Sequence, residues 1–319
     1  MSSTRESYGK TLLEIGSDEN VLVFDADVSS STKTDLFAKK YPNRFFDCGI
    51  SEQDMVSQAS GAASLGKVVF ASSFAEFLIG RAYDQIRVCS AYSNNNVKLV
   101  GTHAGLTVGE DGATHQALED IALIRALPNM TVKTASTPKI TRQIILDSYN
   151  NIGPEYIRLY RGEAEEIYEN LSENEIKTAC NIGFLGIGTK NCHMKDIDIV
   201  LITMGDMTEI AYKVKEKLEL QKYNILLIDV FTLKPFNEKY LIDILKQVKN
   251  NTKIYTIEDH TIYGGLGSII SEVLSKNLPR KVTMFGTTQF GKSGTTEDVL
   301  KYFGLDANTI YNNILKDLK

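Results

Sequence analysis

The chain has 319 residues with 35 basic and 40 acidic side chains, a formal net charge of −5, and the charges are scattered along it. That pattern argues against nucleic acid and against an anionic membrane surface as partners. The length suits two domains, and neither a signal peptide in MSSTRESYGK nor an uninterrupted apolar run of membrane-spanning length is visible, so a soluble cytoplasmic protein is expected.

Residues 4 to 16 are predicted helical, with Thr4 as the cap and Tyr8, Leu12, Leu13 and Ile15 toward the core. The strand VLVFDAD follows at 21 to 27 and ends in the polar loop SSSTK. A helix from Thr34 to Lys40 leads through Tyr41-Pro42-Asn43 into a strand that stops before Glu52. KVVFASSF, NVKLVGTH, NMTVKTAS and EYIRLYR are further short runs rich in β-branched residues, separated by helical stretches near 77 to 92, 116 to 126 and 138 to 150. From Arg161 to about Asp196 the pattern dissolves into an acidic and then glycine-punctuated stretch, which reads as a linker. A second series follows: DIVLITMG, a helix near 207 to 221, NILLIDVF, a helix from about 237 to 249, KIYTIED, a helix near 266 to 277, KVTMFGT, and closing helices from Thr296.

This alternation predicts an α/β protein of two domains, each with a largely parallel sheet flanked by helices. The expected boundaries are 1–163, a linker at 164–195, and 196–319. In such sheets ligands bind beyond the carboxyl ends of the strands, and Asp25, Asp27, Glu52, Phe74 and His103 all fall at or just after such ends. Glu52 stands where a strand gives way to an amphipathic helix, with Ser51 as N-cap and Asp54 three residues on; an acidic residue there also complements the helix dipole. The segment THAGLTVGEDGATHQ holds two of the four histidines, His103 and His115, with Glu110 and Asp111 between them and three glycines shaping the loop. Glycines let backbone approach a ligand closely, and histidine suits proton transfer near neutrality.

The blocks DCGISEQDM, SSFAEFLIGRAYDQIR, THAGLTVGEDGATHQALEDIALIRALPNMTV and EDHTIYGGLGS resemble the matching blocks of transketolases over essentially the whole chain. The likeness is to the C-terminal half of that enzyme, as found in the split form whose pyrophosphate-binding half is a separate polypeptide. It implies a thiamine diphosphate fold followed by a transketolase C-terminal domain, and ketol transfer between sugar phosphates in the pentose phosphate pathway. It also implies an N-terminal partner subunit that carries the cofactor's Mg2+ or Ca2+, and an α2β2 heterotetramer in which this chain self-associates. No Gly-Asp-Gly metal motif occurs here, and Gly205-Asp206 reads as a turn, so no metal ligand is expected in this chain.

By the same resemblance Glu52 hydrogen-bonds the aminopyrimidine ring nitrogen, Phe74 and Phe77 pack against that ring, and Asp27 belongs to the cofactor pocket. The third aromatic of the family is replaced by Gly80 and Arg81. His115 is implied in proton transfers at substrate hydroxyls, Asp111 in reading hydroxyl configuration, and His103 in facing the sugar phosphate. Arg5, Ser31 and Arg161 fit phosphate-binding positions, with the serine uncertain by one place in the Ser29-Ser30-Ser31 run.

The rival readings are the β subunit of a 2-oxo acid dehydrogenase decarboxylating component, a deoxyxylulose phosphate synthase-like enzyme, and an inactive regulatory paralogue. GTTQFGKS at 286 to 293 matches a P-loop pattern, but Thr295-Thr296-Glu297 moves the next helix start past the lysine. The four cysteines, Cys48, Cys89, Cys180 and Cys192, are far apart, which indicates neither a disulfide framework nor a zinc site.

Overall fold

The computed structural model describes residues 2–318. In chain order the strands are β1 (Ser2–Ser3), β2 (Val21–Asp25), β3 (Phe45–Asp47), β4 (Val68–Phe74), β5 (Val97–Thr102), β6 (Thr131–Thr134), β7 (Glu155–Arg158) and β8 (Glu163–Ala164), then β9 (Phe184–Gly188), β10 (Ile199–Met204), β11 (Ile225–Val230), β12 (Thr232–Lys234), β13 (Lys253–Thr261) and β14 (Val282–Thr287). Among the described residues they form three sheets. The first large one runs β12-β6-β7-β5-β4-β2-β3 and the second β14-β13-β10-β11-β9; β1 pairs only with β8. All pairings in the large sheets are parallel except β12 on β6 and β9 on β11.

The continuous apolar strands explain the architecture. Val97–Thr102, Ile199–Met204 and Ile225–Val230 are buried at every position, as strands covered by helices on both faces must be. Helix Pro138–Asn150 is capped by Thr137, whose Oγ1 accepts the Ile140 N–H, and buries Ile140, Ile144 and Ile145. The first helix spans Thr4–Ile15, and its cap is Ser3 rather than Thr4: Ser3 Oγ accepts the Glu6 N–H, while Thr4 is buried with its hydroxyl donating to the Tyr160 carbonyl. The helix expected near 116 to 126 is confined to Asp120–Arg125, because Ala117 pairs instead with Ala104 in an isolated bridge.

The stretch 164–195, expected as a linker, carries regular structure. Helix Glu173–Ile182 carries a capping box between Ser172 and Glu175, and β9 pairs antiparallel with β11. Its short periodic runs and glycines, Gly186 and Gly188 within β9, masked it in sequence. In the other direction, β12 from the second half adds to the edge of the first sheet, so the two halves share a strand pairing.

A buried polar seam fastens the halves further. Arg158 at the end of β7 donates from Nε to Asp120 Oδ2 (2.9 Å) and from Nη2 to the Asp259 carbonyl (2.8 Å). Asp229 accepts Ser136 Oγ (2.5 Å), Tyr168 Oη (2.6 Å) and Thr208 Oγ1 (2.9 Å), drawing on both halves and the segment between them. Among the described residues no helix is long and apolar enough to cross a membrane.

Candidate active site

The carboxyl ends of β4 and β5 set two aromatic groups side by side. Phe74 closes β4 and Phe77 follows one turn later, with ring centroids 5.7 Å apart. His103, immediately after β5, lies 4.1 Å from Phe74. His115 reaches the same place from the glycine-rich loop, edge-on to Phe77 at 4.9 Å and 6.2 Å from Phe74. Residues Phe77–Arg81 form a π-helical turn, a widened turn often found at functional sites.

Glu52 is the first residue of helix Glu52–Ser64 and is only 4% exposed. Ser51 is the N-cap but makes no side-chain cap bond, and Asp54 accepts from Gln58 Nε2 (2.5 Å) instead of closing a capping box. The partner of Glu52 is Arg81, whose Nη1 donates to both carboxylate oxygens at 3.0 and 3.1 Å. The same guanidinium lies over the Phe77 ring, its carbon 3.9 Å from the centroid, a cation–π contact. Arg81 thus lies where the missing third aromatic was sought. Its charge is paired across 29 residues, a contact without local signature in sequence.

His103 is buried, with φ +55, and its Nδ1 shares a hydrogen bond with Thr102 Oγ1 (2.9 Å). Positive φ at a non-glycine residue is costly and often marks a site. Burial pushes its pKa down to about 3, helped by the positive charges of Arg5 and Arg161. It is therefore a neutral imidazole at physiological pH. Glu76, on the same turn as Phe77, is pushed the opposite way to about 7 by burial and then by Glu119 and Asp120. Sequence reading gave Glu76 no role, because nothing local distinguishes it from an exposed acid.

The expected phosphate-binding residues form an adjoining cluster. Arg5 donates from Nη1 to the Ser31 carbonyl (2.6 Å) and from Nη2 to the Arg161 carbonyl (2.7 Å). Burial and the neighbouring Arg161 charge lower its pKa. Arg161 in turn donates to the Val108 carbonyl (2.8 Å) and to Asp111 Oδ2 (3.1 Å). Ser31 enters this cluster through its backbone oxygen. Asp27 stands apart: it is exposed at φ +62, and its N–H donates to Asp47 Oδ1 (3.1 Å). The neighbouring Asp25 is the buried one, accepting from the Val28 N–H and the Thr32 and Thr34 hydroxyls.

Such an arrangement offers a buried carboxylate facing a flat aromatic wall, two imidazoles beside it, and arginines at the rim, a setting for proton transfer on an anionic substrate. Among the described residues no group of three His, Cys, Asp or Glu side chains could hold a metal ion. Gly205-Asp206 is a turn at φ +60 that leads into helix Met207–Leu220. Helix Thr296–Tyr302 starts beyond the P-loop-like segment, capped by Thr295, and Lys292 Nζ lies over the Tyr302 ring at 4.5 Å.

Two family models match the chain, the transketolase pyrimidine-binding domain over residues 1–166 and the transketolase C-terminal domain over residues 188–310. A Methanocaldococcus jannaschii protein described as a transketolase C-terminal section is 41% identical over 318 residues, covering 99% of this chain and 96% of that protein. The transketolase of Rattus norvegicus is 34% identical over 310 residues, which are 97% of this chain but 48% of the rat enzyme, so the chain spans about half its length. Among solved structures, a split gene transketolase described as an inactive β4 tetramer matches with a TM-score of 0.85 at 36% identity, over 99% of this chain and 98% of that one.

Proposed function

The chain belongs to the transketolase family, and from that premise we propose that it is the C-terminal subunit of a split, thiamine diphosphate-dependent transketolase. In this reading it moves a two-carbon ketol unit from a ketose phosphate to an aldose phosphate, in the cytoplasm, once a separate pyrophosphate-binding subunit and its divalent cation are in place.

The observation that carries the reading is the seat of Arg81. A guanidinium is planar and donates in its plane. Its position against the Phe77 face with Glu52 as acceptor marks a slot for a flat, nitrogen-bearing group. The pyrimidine half of thiamine diphosphate has that shape and chemistry, so Glu52, Phe74 and Phe77 fit it. When bound, the cofactor supplies the nucleophilic carbon and the electron sink of ketol transfer. Glu52, held at a helix start and shut from water, would hydrogen-bond the pyrimidine ring nitrogen and fix the orientation of the ring. His115 stands edge-on to Phe77 to take or return protons at substrate hydroxyls. His103 stays neutral and can donate or accept without repelling the arginines. Arg5 and Arg161 hold the phosphate end, and Asp111, tied to Arg161, is placed to read a hydroxyl.

The need for a partner is supported by surface. Ile50 is 77% and Tyr92 84% exposed, and Phe46, Leu65 and Val88 are exposed as well. The segments that carry most of them pack together, since Ser60 in the helix Glu52–Ser64 and Ser90 in the segment Ile86–Tyr92 hydrogen-bond each other. Exposed apolar patches of this kind mark protein interfaces. The alone-standing chain is therefore expected to self-associate without turning over, and to form an α2β2 assembly with its partner.

The test is a ketol-transfer assay with xylulose phosphate, ribose phosphate, thiamine diphosphate and magnesium, with and without a candidate pyrophosphate-binding chain. Activity in the mixture alone is expected. A stable complex with no turnover would move the assignment to an oxo-acid dehydrogenase β subunit or an inactive paralogue.

A further inference from the structure

The glycine-rich loop that carries Asp111 and His115 is held in part by the C-terminal domain. Asp259, in β13, accepts the Leu106 N–H at Oδ1 (2.7 Å), and its Oδ2 lies 3.4 Å from the Thr107 nitrogen and 3.5 Å from Thr107 Oγ1. Asp206, just before helix Met207–Leu220, accepts that same Thr107 hydroxyl at Oδ2 (2.6 Å). One threonine hydroxyl thus touches carboxyls from two different elements of the second domain. The approach is so close that a Cβ on Gly105 would lie 1.9 Å from Asp259 Oδ2, and at φ +82 the backbone there also favours glycine.

The two carboxyls converge on Thr107, whose hydroxyl lies 2.6 Å from Asp206 Oδ2 and 3.5 Å from Asp259 Oδ2. Asp206 Oδ1 is buried without a hydrogen-bond partner. Two ionised carboxylates so placed repel, and neither has a proton to donate. A proton held between the two carboxyls would leave the pair with one charge and give the unpartnered Asp206 Oδ1 a donor. We propose that Asp206 and Asp259 share a single proton and so form a latch that positions the loop of Asp111 and His115 for the reaction. This rests on the ketol-transfer reading for its catalytic meaning.

The surrounding charges fit this state. Arg158, from β7, is the cation nearest both acids, and Asp120, from Asp120–Arg125, takes its Nε. Glu258 and His260 flank Asp259 along β13: Glu258 accepts the N–H groups of Leu266 and Gly267, and burial leaves His260 neutral with its pKa down to about 4. On the open side Glu209, Lys213, Glu297 and Asp306 line a cavity of about 410 Å³ with Thr107 and Asp206. Burial raises the pKa of both Asp206 and Asp259, against the pull of Arg158. The shared proton is therefore held to higher pH than on an ordinary carboxyl and lost as pH rises, and its loss sets two carboxylates against each other beneath Thr107. Asp206 and Asp259 act through the loop and are positioning residues.

The experiment is hydrogen exchange of the loop amides in the full chain, read with the nuclear Overhauser contact between the His115 and Phe77 rings. Asparagine at 259 keeps an acceptor for Leu106 and places an N–H where the shared proton lies. Asp259→Asn is expected to keep the ring contact and stay within about threefold of wild-type protection. Asp259→Ala is expected to lose the contact and exchange Leu106 and Thr107 at least about tenfold faster. As pH is raised across the range in which the chain stays folded, corrected for intrinsic exchange, wild-type protection is expected to fall by about tenfold per unit above the pair's pKa while Asp259→Asn stays flat. An alanine variant as protected as wild type, an asparagine variant as loose as alanine, or identical pH dependence in wild type and Asp259→Asn would each overturn the latch. If alanine prevents folding, the asparagine pH comparison decides alone. Failure of ketol transfer in the assembled enzyme would count against the functional reading and leave these loop measurements standing.

Discussion

The pocket around Glu52 and the seam around Arg158 both bury charge, but they do so in opposite ways. At the seam the charges are paired inside the chain: Asp120 Oδ2 receives Arg158 and the Tyr156 hydroxyl at 2.6 Å, and Arg158 and Asp120 are almost wholly inaccessible. In the pocket the carboxylate of Glu52 is as deeply placed, yet its partner Arg81 has a side chain 47% exposed. A fixed partner makes structure; a replaceable one leaves a site. The comparison separates residues whose loss should cost folding from those whose loss should cost function.

The largest expected effect is on the functional side. Glu52→Gln should lower ketol transfer by the partnered enzyme about 10³-fold or more, with the complex still forming in size-exclusion chromatography. Loss of assembly together with activity would break the comparison, since it would make Glu52 structural. On the seam, Asp120→Ala leaves Arg158 buried without its carboxylate and should cost about 3–5 kcal/mol, read from the urea midpoint of the isolated chain. A cost below about 1 kcal/mol would place the seam among ordinary surface ion pairs.

His103 sharpens the contrast through pH. In the folded chain it stays neutral down to about pH 3, whereas in the unfolded chain it protonates below about 6.5. Its contribution is complete above pH 6.5 and is lost as pH falls, by about 2 kcal/mol at pH 5 relative to neutrality. His103→Gln should remove that increment, so the gap between the variant and wild type changes between denaturation curves at pH 7 and pH 5. The smallest effect is expected for Arg81→Gln. Its ion pair with Glu52 is partly screened and worth about 1 kcal/mol, so removing the competitor should tighten cofactor binding by the assembled enzyme roughly fivefold in calorimetric titration. Weaker binding would mean that Arg81 supports the cofactor and does not merely hold its place.

Much of this was legible before the fold. The helix Leu266–Asn277 and the strand Ile225–Val230 follow from apolar periodicity, and Glu52 was placed at a helix start by the change of period behind Ile50. Phe74 and Phe77 stand three apart at the end of a strand, so their adjacency is set by local geometry. His103 and His115 were expected near one another only because one loop carries both.

What the sequence by itself determined is therefore local: the order of strands and helices, the two sheets, and which side chains stand at strand ends. Hydrophobic period and backbone propensity act over a few residues and need no knowledge of the rest of the chain. Tertiary structure decided what pairs across distance. It set Arg81 on Glu52 and Phe77, brought Arg5 to the backbone of Arg161 across 156 positions, carried β12 to the first sheet, and seated Thr107 on Asp206 and Asp259. Those contacts depend on how two domains dock, where burial, not local pattern, selects which charges and protons remain.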